Sequence, residues 1–495
     1  MMVRTRTILW GIFVFVLTIR LLFAFSLPNF TYESYFHLRQ VEEIVQTGFP
    51  QYQDALSYGG RTYIFLPLFH YVMALFTLLF PLSLVAKIMP DVLLALLIPL
   101  AYLMSRQITK DEIAGLLSAF TIGFLPVIFV TNTFTPLTLF YPLLFLTMYA
   151  FLRIQEKRYL FLYITSFFLL ALTSPAAFLV MIGFGIYLLL SYTERKVVQR
   201  AEVELILFSL FLYVWIEFLF FKNSLIQEGV LFIWQNIPAS ILINYFAPVS
   251  ISTAVIGISI IPLITGLYVV YKSLFEWKSS ALYFLISIVI STTILAFLRL
   301  VETEIALALG GMAVSILFAL FYENIITLMR KTKWSHHSSQ VGVLLAVAVL
   351  VTTGIPAVVA VLHQEMPTIE EMNAFQWLAE NTPERTTIAA PLEEGHLVTG
   401  IAERKNIMDD NFALMDDVDK RFRDINYLFT TPFQTLAISI FDDYDVDYLI
   451  LTPRAKKVFN VTVLPYRGST CFEKIYGLDN ITIYNSKCTL QKVQI

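Results

Sequence analysis

Long apolar runs constrain this chain more than any other feature of its sequence. A helix needs roughly 20 apolar residues to cross a bilayer, and about eleven runs meet that length. Hydrophobic residues make up 57% of the 495 residues and charged residues only 14%, whereas a soluble domain carries about 25% charged residues. The sequence therefore predicts a polytopic α-helical membrane protein. The runs lie near 7–27, 91–107, 113–131, 137–153, 159–173, 176–192, 203–221, 249–271, 280–298, 304–322 and 341–361.

One further run, 64–80, is shorter and contains Pro67 and His70. We expect it to dip into the membrane without crossing. Basic residues then collect in alternate loops, and the positive-inside rule places this richer set in the cytoplasm. The N-terminus is then cytoplasmic and the chain after 362 is extracytoplasmic. The richer loops carry Arg4, Arg6, Arg106, Lys110, Arg153, Lys157, Arg158, Arg195, Lys196, Arg200, Lys272, Lys278, Arg330, Lys331 and Lys333, and the opposite loops hold Arg39, Arg61, Lys87, Lys222 and Arg299.

An alternative topology has the same charge bias. If 64–80 crosses the membrane and the N-terminus lies outside, only the first loop (28–62) changes side. Charge alone does not choose between the two topologies, and the C-terminal part is extracytoplasmic in both. The sequon at Asn29 favours the outside for the first loop.

Several function classes are excluded by what the sequence lacks. The net charge of −3 gives no basic field for nucleic acid. There is no zinc-type cysteine spacing, no Gly-rich phosphate loop and no dinucleotide fingerprint. Basic residues precede the first apolar run and no A-x-A-like cleavage site follows it, so we expect a retained signal anchor.

The last part of the chain, 366–495, is more polar. We predict that 1–362 is the transmembrane domain and that 366–495 is a mixed α/β domain outside the membrane. IEEMNAFQWLAENTPE predicts a helix, and TTIAAP, VDYLILTP and two runs within 471–488 predict strands. Cys471 and Cys488 flank a predicted hairpin with GLDN at its turn. An oxidising compartment would allow them to form a disulfide, and two unpaired thiols are the alternative.

The first loop holds the leading candidate for catalysis. Glu33 follows the first span directly, and a carboxylate at the membrane surface suits a general base for a hydroxyl group. A solvated loop carboxylate is the simpler interpretation. His37 and Arg39 lie about one helical turn further on. They are expected to orient Glu33 or contact a phosphate, or else to form a polar helix face.

Arg299 is the second candidate. It ends an apolar run at the outer face, where a guanidinium offers a fork of donors that matches a phosphate. A snorkelling interfacial arginine is the alternative. Glu302 and Glu304 follow it and could neutralise its charge.

Other charged residues near membrane depth have weaker claims. Glu228, in a long external loop, is a candidate second acidic group over the site, although an ordinary loop carboxylate is the more common explanation. Arg20 in the first span and Glu217 near the end of the seventh are expected as interhelical or interfacial partners.

The C-terminal domain contains a weak metal motif. Glu393, Glu394 and His396 are close in sequence, but such groups are common on surfaces and we expect no metal. An acidic stretch follows, and without EF-hand spacing it is expected to be a solvated face. That stretch contains Asp409, Asp410, Asp416, Asp417 and Asp419.

The order of these parts resembles the GT-C glycosyltransferases, and in particular the catalytic subunit of archaeal and bacterial oligosaccharyltransferases. YESYFHLRQVEEIVQTGF resembles the family's first-loop motif and places Glu33 where the family has its aspartate. ILAFLRLVETEIALALGG resembles the segment whose arginine holds the lipid-linked phosphate, which implies that role for Arg299. LIQEG resembles an external-loop acidic motif and implies a role for Glu228. WLAENTPERTTIAAPLEEGHLVTGIAERKNIMDDN resembles the family's WL-x-x-NTP and R-x-x-x-x-D-x-N stretches.

Two signatures of that family are missing. WWDYG, which reads the acceptor sequon in the family, is replaced by APLEEG, which leaves Glu394 and His396 as candidate acceptor-site residues. The second external loop carries an acidic metal-binding pair in the family, but here Thr133 and Thr135 stand near those places. Threonine hydroxyls replace carboxylates poorly on a hard divalent cation. We therefore expect no metal cofactor, with magnesium or manganese required only if the chain glycosylates asparagine.

The resemblance and these departures together predict a metal-independent, inverting glycosyltransferase. The donor would be a polyprenyl (dolichyl)-phosphate-linked sugar, and the acceptor a hydroxyl on an extracytoplasmic glycan, lipid or protein. Glu33 would be the general base, and Arg299 would stabilise the departing phosphate. The alternatives are a divergent oligosaccharyltransferase in which Glu33 and Glu228 share a metal, and an inactive paralogue that binds lipid-linked glycan. A transporter is disfavoured because no inverted repeat is evident.

Overall fold

The structure is a computed structural model. It describes residues 2–229, 241, 250–333, 335–415, 417–468, 470–478 and 480–490.

Apolar helices build the first part of the chain. They begin with α1 (Met2–Ser26), α2 (Ser34–Thr47), α3 (Leu68–Thr77), α4 (Leu82–Ala95), α5 (Leu97–Thr109), α6 (Glu112–Gly123), α7 (Leu137–Phe151) and α8 (Lys157–Ala171). They continue with α9 (Phe178–Thr193), α10 (Arg200–Glu228), α11 (Ile251–Ile258), α12 (Ile260–Phe275), α13 (Ser280–Phe297), α14 (Thr303–Arg330) and α15 (Ser338–Leu362). In the described part of the chain, seven helical stretches are long and apolar enough to cross a membrane, or eight if the bent pair α11–α12 forms one span.

This number is smaller than the predicted eleven because several apolar runs form short helices. The helices α6, α7 and α8 have 12, 15 and 15 residues. At about 1.5 Å per residue the longer two reach about 22 Å, short of the ~30 Å hydrocarbon core. The pair α11–α12 bends by 105°. The predicted fold class is confirmed, with seven or eight stretches of full spanning length in the described residues and shorter apolar helices between them.

A buried ion pair joins two of the long helices. The Arg20 guanidinium of α1 lies 3.2 Å from a carboxylate oxygen of Asp91 on α4, and both side chains are almost fully buried. The same guanidinium donates hydrogen bonds to the carbonyl oxygens of Ile128 and Val130, at 2.7 and 3.1 Å. Arg20 therefore holds the loop between α6 and α7, called the second loop below, against the first helix.

The C-terminal part forms an α/β domain around a five-stranded mixed sheet. Its strands lie in the order β4-β3-β5-β7-β6, in which β3 is parallel to β4 and β5, whereas β7 is antiparallel to β5 and β6. The strands are β3 (Thr387–Ala389), β4 (Lys405–Asn406), β5 (Tyr448–Leu451), β6 (Phe472–Leu478) and β7 (Ile481–Ser486). The helices are α16 (Ile369–Asn381), α17 (Gly395–Gly400), α18 (Val418–Thr430), α19 (Gln434–Asp443) and α20 (Pro453–Phe459). Cys471 and Cys488 at the base of the β6–β7 hairpin form a disulfide.

The first loop packs against this domain. It contains α2 and a two-stranded ribbon of β1 (Gln53–Asp54) and β2 (Arg61–Thr62). The hydroxyl groups of Ser57 and Tyr58 donate to Asp409, at 2.6 Å to its carboxylate and 2.7 Å to its carbonyl oxygen. The loop and the domain therefore lie on one side of the helix bundle. This contact is incompatible with the alternative topology, in which they lie on opposite sides.

Candidate active site

Glu33 lies at the start of α2, where the chain leaves the first long helix. Its sequence neighbours Tyr32 and Ser34 are buried, while 56% of the Glu33 side chain is exposed. The pKa of Glu33 is nevertheless raised to about 7, first by loss of solvation and then by repulsion from Asp410, with His396 opposing the shift. A half-exposed carboxylate with poor solvation indicates a recess, called the cleft below, and Asp410 and His396 of the C-terminal domain lie close enough to Glu33 to shift its pKa. Glu33 is thus accessible to a ligand and walled by protein.

The second loop lies directly beside Glu33. The backbone N–H of Thr31 donates to the carbonyl oxygen of Asn132 at 3.1 Å, and the N–H of Phe134 donates to the Ser34 hydroxyl at 2.9 Å. Thr133, near the place of the missing acidic pair, accepts a hydrogen bond from Gln364 at 2.9 Å. The second loop thus brings hydroxyl groups rather than carboxylates to the neighbourhood of Glu33.

Two histidines, His37 and His70, form a chain of contacts that begins at the Glu33 carboxylate. His37 Nε2 lies 3.4 Å from Glu33 Oε1, and His37 Nδ1 lies 2.8 Å from His70 Nε2. Both rings are buried, and His70 comes from the dipping helix α3. Burial, and next the charge of His396, lower the pKa of His37 to about 3, while Asp410 opposes the shift. His37 is therefore neutral near pH 7.

The C-terminal domain supplies the opposite wall through His396. A Cβ added at Gly395 would lie 2.4 Å from the carbonyl oxygen of Met408, so only glycine permits this close approach. The approach places His396 Nε2 2.5 Å from a carboxylate oxygen of Asp410. The histidine also packs on Phe36 of α2, with ring centroids 5.7 Å apart.

The protonation of His396 is set by the acids around it. Burial acts to lower its pKa, but Asp410, Asp409 and Glu33 outweigh burial and raise the pKa to about 9. His396 therefore carries a positive charge near pH 7. That charge lies within electrostatic range of Glu33 and favours its ionised form.

His396, Asp409 and Asp410 have ligand atoms within 4.8 Å of one another, close enough to hold a metal ion. Asp409, however, is fully buried and already accepts hydrogen bonds from Ser57 at 2.6 Å and Asn406 at 3.1 Å. The expectation that Asp409 belongs to a solvated face is wrong, because the first loop covers it. With this carboxylate occupied and hydroxyls in the second loop, the residues present fit a resident divalent metal poorly.

Two glutamates of the membrane domain, Glu302 and Glu304, form an acidic rim near Glu33, and Arg299 lies just before them in the chain. Glu302, just before α14, has its pKa raised to about 8, first by loss of solvation and then by Glu33, Glu304 and Asp410. Arg299 lies three residues earlier, within at most about 11 Å of extended chain. It is partly exposed and, within the described residues, forms no salt bridge. Arg299 thus lies near the rim of the cleft, although no direct contact joins it to Glu33.

The remaining sequence candidates lie elsewhere. Arg39 binds both carboxylate oxygens of Asp54, at 2.6 and 2.9 Å, and so braces α2 against the ribbon rather than pointing into the cleft. Glu394 is buried and accepts a hydrogen bond from Thr452 at 2.6 Å, so it does not join His396 in a cluster. Burial, and next Glu371, raise the pKa of Glu394 well above its usual range. Glu228 ends α10, and its side chain lies outside the described part of the structure.

Sequence reasoning missed two members of the site. His70 was visible as a histidine in an apolar run, and a polar side chain in such a run is a signal of function. Asp410 was read as part of a solvated stretch, and no local pattern indicates its pairing with His396. Glu302 was noted only as a neutralising neighbour of Arg299.

Comparison with known proteins identifies the fold. No protein-family model matches the sequence. Over 101 residues the chain is 35% identical to the dolichyl-phosphooligosaccharide-protein glycotransferase 2 of Archaeoglobus fulgidus; the match covers 19% of this chain and 17% of that protein's length.

Solved structures match over most of the chain. The archaeal oligosaccharyltransferase AglB from Archaeoglobus fulgidus, in complex with an inhibitory peptide and a dolichol-phosphate, superposes with a TM-score of 0.69 at 14% identity, covering 88% of this chain and 69% of AglB. ArnT from Cupriavidus metallidurans gives a TM-score of 0.57 at 11% identity, covering 96% of this chain and 97% of ArnT. ArnT bound to undecaprenyl phosphate gives 0.52 at 12% identity, covering 95% and 97%. The chain therefore has the GT-C fold of these membrane proteins.

Proposed function

We propose that this chain is a membrane glycosyltransferase that transfers a sugar from a polyprenyl-phosphate-linked donor to a hydroxyl acceptor outside the cytoplasm. The observation that carries the proposal is the cleft at Glu33, in which an accessible carboxylate with a raised pKa lies between the membrane helices and the C-terminal domain. Two solved GT-C structures hold dolichol-phosphate and undecaprenyl phosphate, and these support a lipid phosphate as the leaving group.

Glu33 is the general base in this mechanism. Its ionised carboxylate accepts the proton of the acceptor hydroxyl as that oxygen attacks the anomeric carbon. The new carbon–oxygen bond forms on the face opposite the phosphate, the bond from the anomeric carbon to the phosphate oxygen breaks, and the configuration inverts. A base whose pKa lies near the working pH suits this proton transfer.

Arg299 is proposed to stabilise the departing phosphate. Its guanidinium has no carboxylate partner among the described residues. Arg299 lies three residues from Glu302, whose pKa is raised in part by the negative charge of Glu33. A fork of N–H donors on a phosphate stabilises the negative charge that develops as the bond breaks.

A hydroxyl acceptor is favoured over an amide. The lone pair of an amide nitrogen is delocalised, so activating it needs more than one positioned base. The second loop offers Thr133 and Thr135 where an acidic pair would be needed, and Asp409 is engaged by the first loop. Transfer to asparagine remains the alternative, favoured by the short match to the archaeal glycotransferase.

We propose that the cleft lies at the extracytoplasmic surface of a cell membrane. The loops between spans at the opposite end of the bundle carry most of the basic residues, and the positive-inside rule assigns that end to the cytoplasm. The N-terminus would then be cytoplasmic and the C-terminal domain extracytoplasmic.

The reaction is expected to follow the ionisation of Glu33. A raised pKa means that the base is half ionised near pH 7 rather than near 4.5, so kcat/KM should rise with pH through about 7 and level off above it. Initial rates between pH 5 and 9, with the purified chain in lipid nanodiscs, measure this rise in kcat/KM. A rise centred near pH 4.5 would contradict the cleft environment inferred for Glu33.

Glycan mass spectrometry on a deletion strain tests the function itself. We expect the deletion to remove one sugar from an external glycan, lipid or protein, wild type to restore it, and Arg299→Gln to restore less than about a tenth of it. Arg330→Gln, at the other end of the bundle, is the matched control and should restore it fully. An unchanged profile in the deletion strain would count against transfer and for the inactive-paralogue alternative.

A further inference from the structure

We propose that His70, on the dipping helix α3, is a positioning residue that sets the tautomer of His37 and thereby holds the Glu33 carboxylate in its ionised form. The proposal rests on the function proposed above for Glu33 and adds a residue that no comparison assigns. Its basis is the continuous contact from Glu33 through His37 to His70.

The two contacts fix where the protons lie. When Glu33 is ionised it can only accept, so His37 Nε2 must carry the proton on the side that faces it. A neutral imidazole has one N–H, so His37 Nδ1 must then accept. The 2.8 Å contact to His70 therefore requires the proton on His70 Nε2. His70 Nδ1 is left as a buried lone pair with no partner among the described residues.

The opposite arrangement is worse for catalysis. If His37 carried its proton on Nδ1, its Nε2 lone pair would face the Glu33 carboxylate and repel it. The His70 ring would then bury an N–H without a described acceptor, in place of the buried lone pair of the first arrangement. A donor at His70 Nε2 excludes this arrangement while Glu33 is ionised.

Packing holds the rings in place. His70 is fully buried, and the Phe65 ring lies 4.9 Å from it between centroids. The Phe36 ring lies 5.0 Å from His37. A buried histidine in an otherwise apolar helix is costly unless its hydrogen bond has a use. Here that bond reaches the candidate base through one intervening ring.

Other charged groups also face Glu33, and the test must separate them from His70. From the C-terminal domain these are His396 and Asp410, and from the membrane domain Glu302 and Glu304. His70 hydrogen-bonds to His37, and its ring also lies against Phe36, which packs on His396. Comparing His70→Phe with His70→Gln therefore isolates the effect of the hydrogen bond from that of packing.

Labelling of Glu33 with dicyclohexylcarbodiimide, which reacts with protonated carboxyl groups, tests the proposal without requiring activity. In the full chain, peptide mass spectrometry should show labelling that falls with rising pH. His70→Phe removes the donor and should move the midpoint upward by about one pH unit. His70→Gln places an amide donor near Nε2 and should keep the wild-type midpoint, as should the control His363→Phe at an exposed histidine.

The outcomes separate the two proposals. Equal midpoints for His70→Phe and His70→Gln would overturn the positioning role even if sugar transfer is demonstrated. A shifted midpoint in a chain that transfers no sugar would support the positioning role and refute the transferase. If His70→Phe does not fold, the ¹⁵N shifts of the wild-type histidines at pH 8 decide: Nε2–H on both rings is expected, and Nδ1–H on His37 would overturn the proposal.

Discussion

Glu33→Gln is expected to lower kcat/KM for sugar transfer by roughly 10²- to 10⁴-fold, the usual contribution of a general base. Glutamine keeps the size and hydrogen-bonding reach of the side chain but cannot accept the proton of the acceptor hydroxyl. Because the base acts in the transition state, the loss should appear in kcat while the affinity for the lipid-linked donor stays the same. Initial rates and equilibrium binding of a fluorescent polyprenyl-phosphate sugar measure the two quantities separately.

Glu42→Gln is the matched control for this experiment. Glu42 lies on the same helix, is exposed, and has no described contact with the cleft. Its replacement should change the rate by less than about twofold, as expected for a surface position. A Glu33→Gln chain that keeps more than about a third of the wild-type rate would exclude a general-base role. An effect on donor binding alone would point instead to a role of Glu33 in seating the substrate.

The sequence alone supports a proposal for Glu33 but does not predict its surroundings. A carboxylate immediately after the first span, in a segment resembling a known loop motif, identified this residue. His37 follows four residues later on the same helical face, so its contact with Glu33 was also foreseeable. His70 comes from the next helix, and its contact depends on how α3 returns against α2. The spacing of apolar residues along the chain does not specify how α3 packs against α2.

The wall formed by the C-terminal domain shows the same limit. His396 was grouped with Glu393 and Glu394 because they are adjacent in sequence. The structure instead pairs it with Asp410, since the glycine at 395 lets the short helix lie against the backbone of residue 408. Adjacency in sequence pointed to Glu393 and Glu394 as the acids beside His396. The acid that pairs with His396 is Asp410, which the tertiary packing of two backbone segments brings close.

Breaking the pair between Arg20 and Asp91 is expected to give the largest loss of stability in the chain. Arg20→Met leaves the Asp91 carboxylate buried without its cation, and such uncompensated charges cost about 3–5 kcal/mol. It also removes the two hydrogen bonds to the carbonyl oxygens of Ile128 and Val130. Thermal unfolding of the detergent-solubilised chain, followed by tryptophan fluorescence, measures the loss. Asp91→Leu should cost a similar amount, since it leaves the guanidinium unpaired.

The double variant Arg20→Met with Asp91→Leu separates the cost of an unpaired buried charge from the loss of the hydrogen bonds that hold the loop. Removing both charges restores an apolar contact between the two helices, so most of the stability should return. The carbonyl groups of Ile128 and Val130 remain without their donor in the double variant, and these anchor the loop that lies beside Glu33. We therefore expect a chain that regains most, but not all, of the lost stability. It should still be at least about tenfold slower than wild type, because the loop beside the base is held less firmly. Arg200→Met breaks an exposed pair with Glu204, 2.7 Å long, and as the control it should cost less than about 1 kcal/mol. If the single variants at Arg20 and Asp91 cost no more than this control, the pair does not hold the loop.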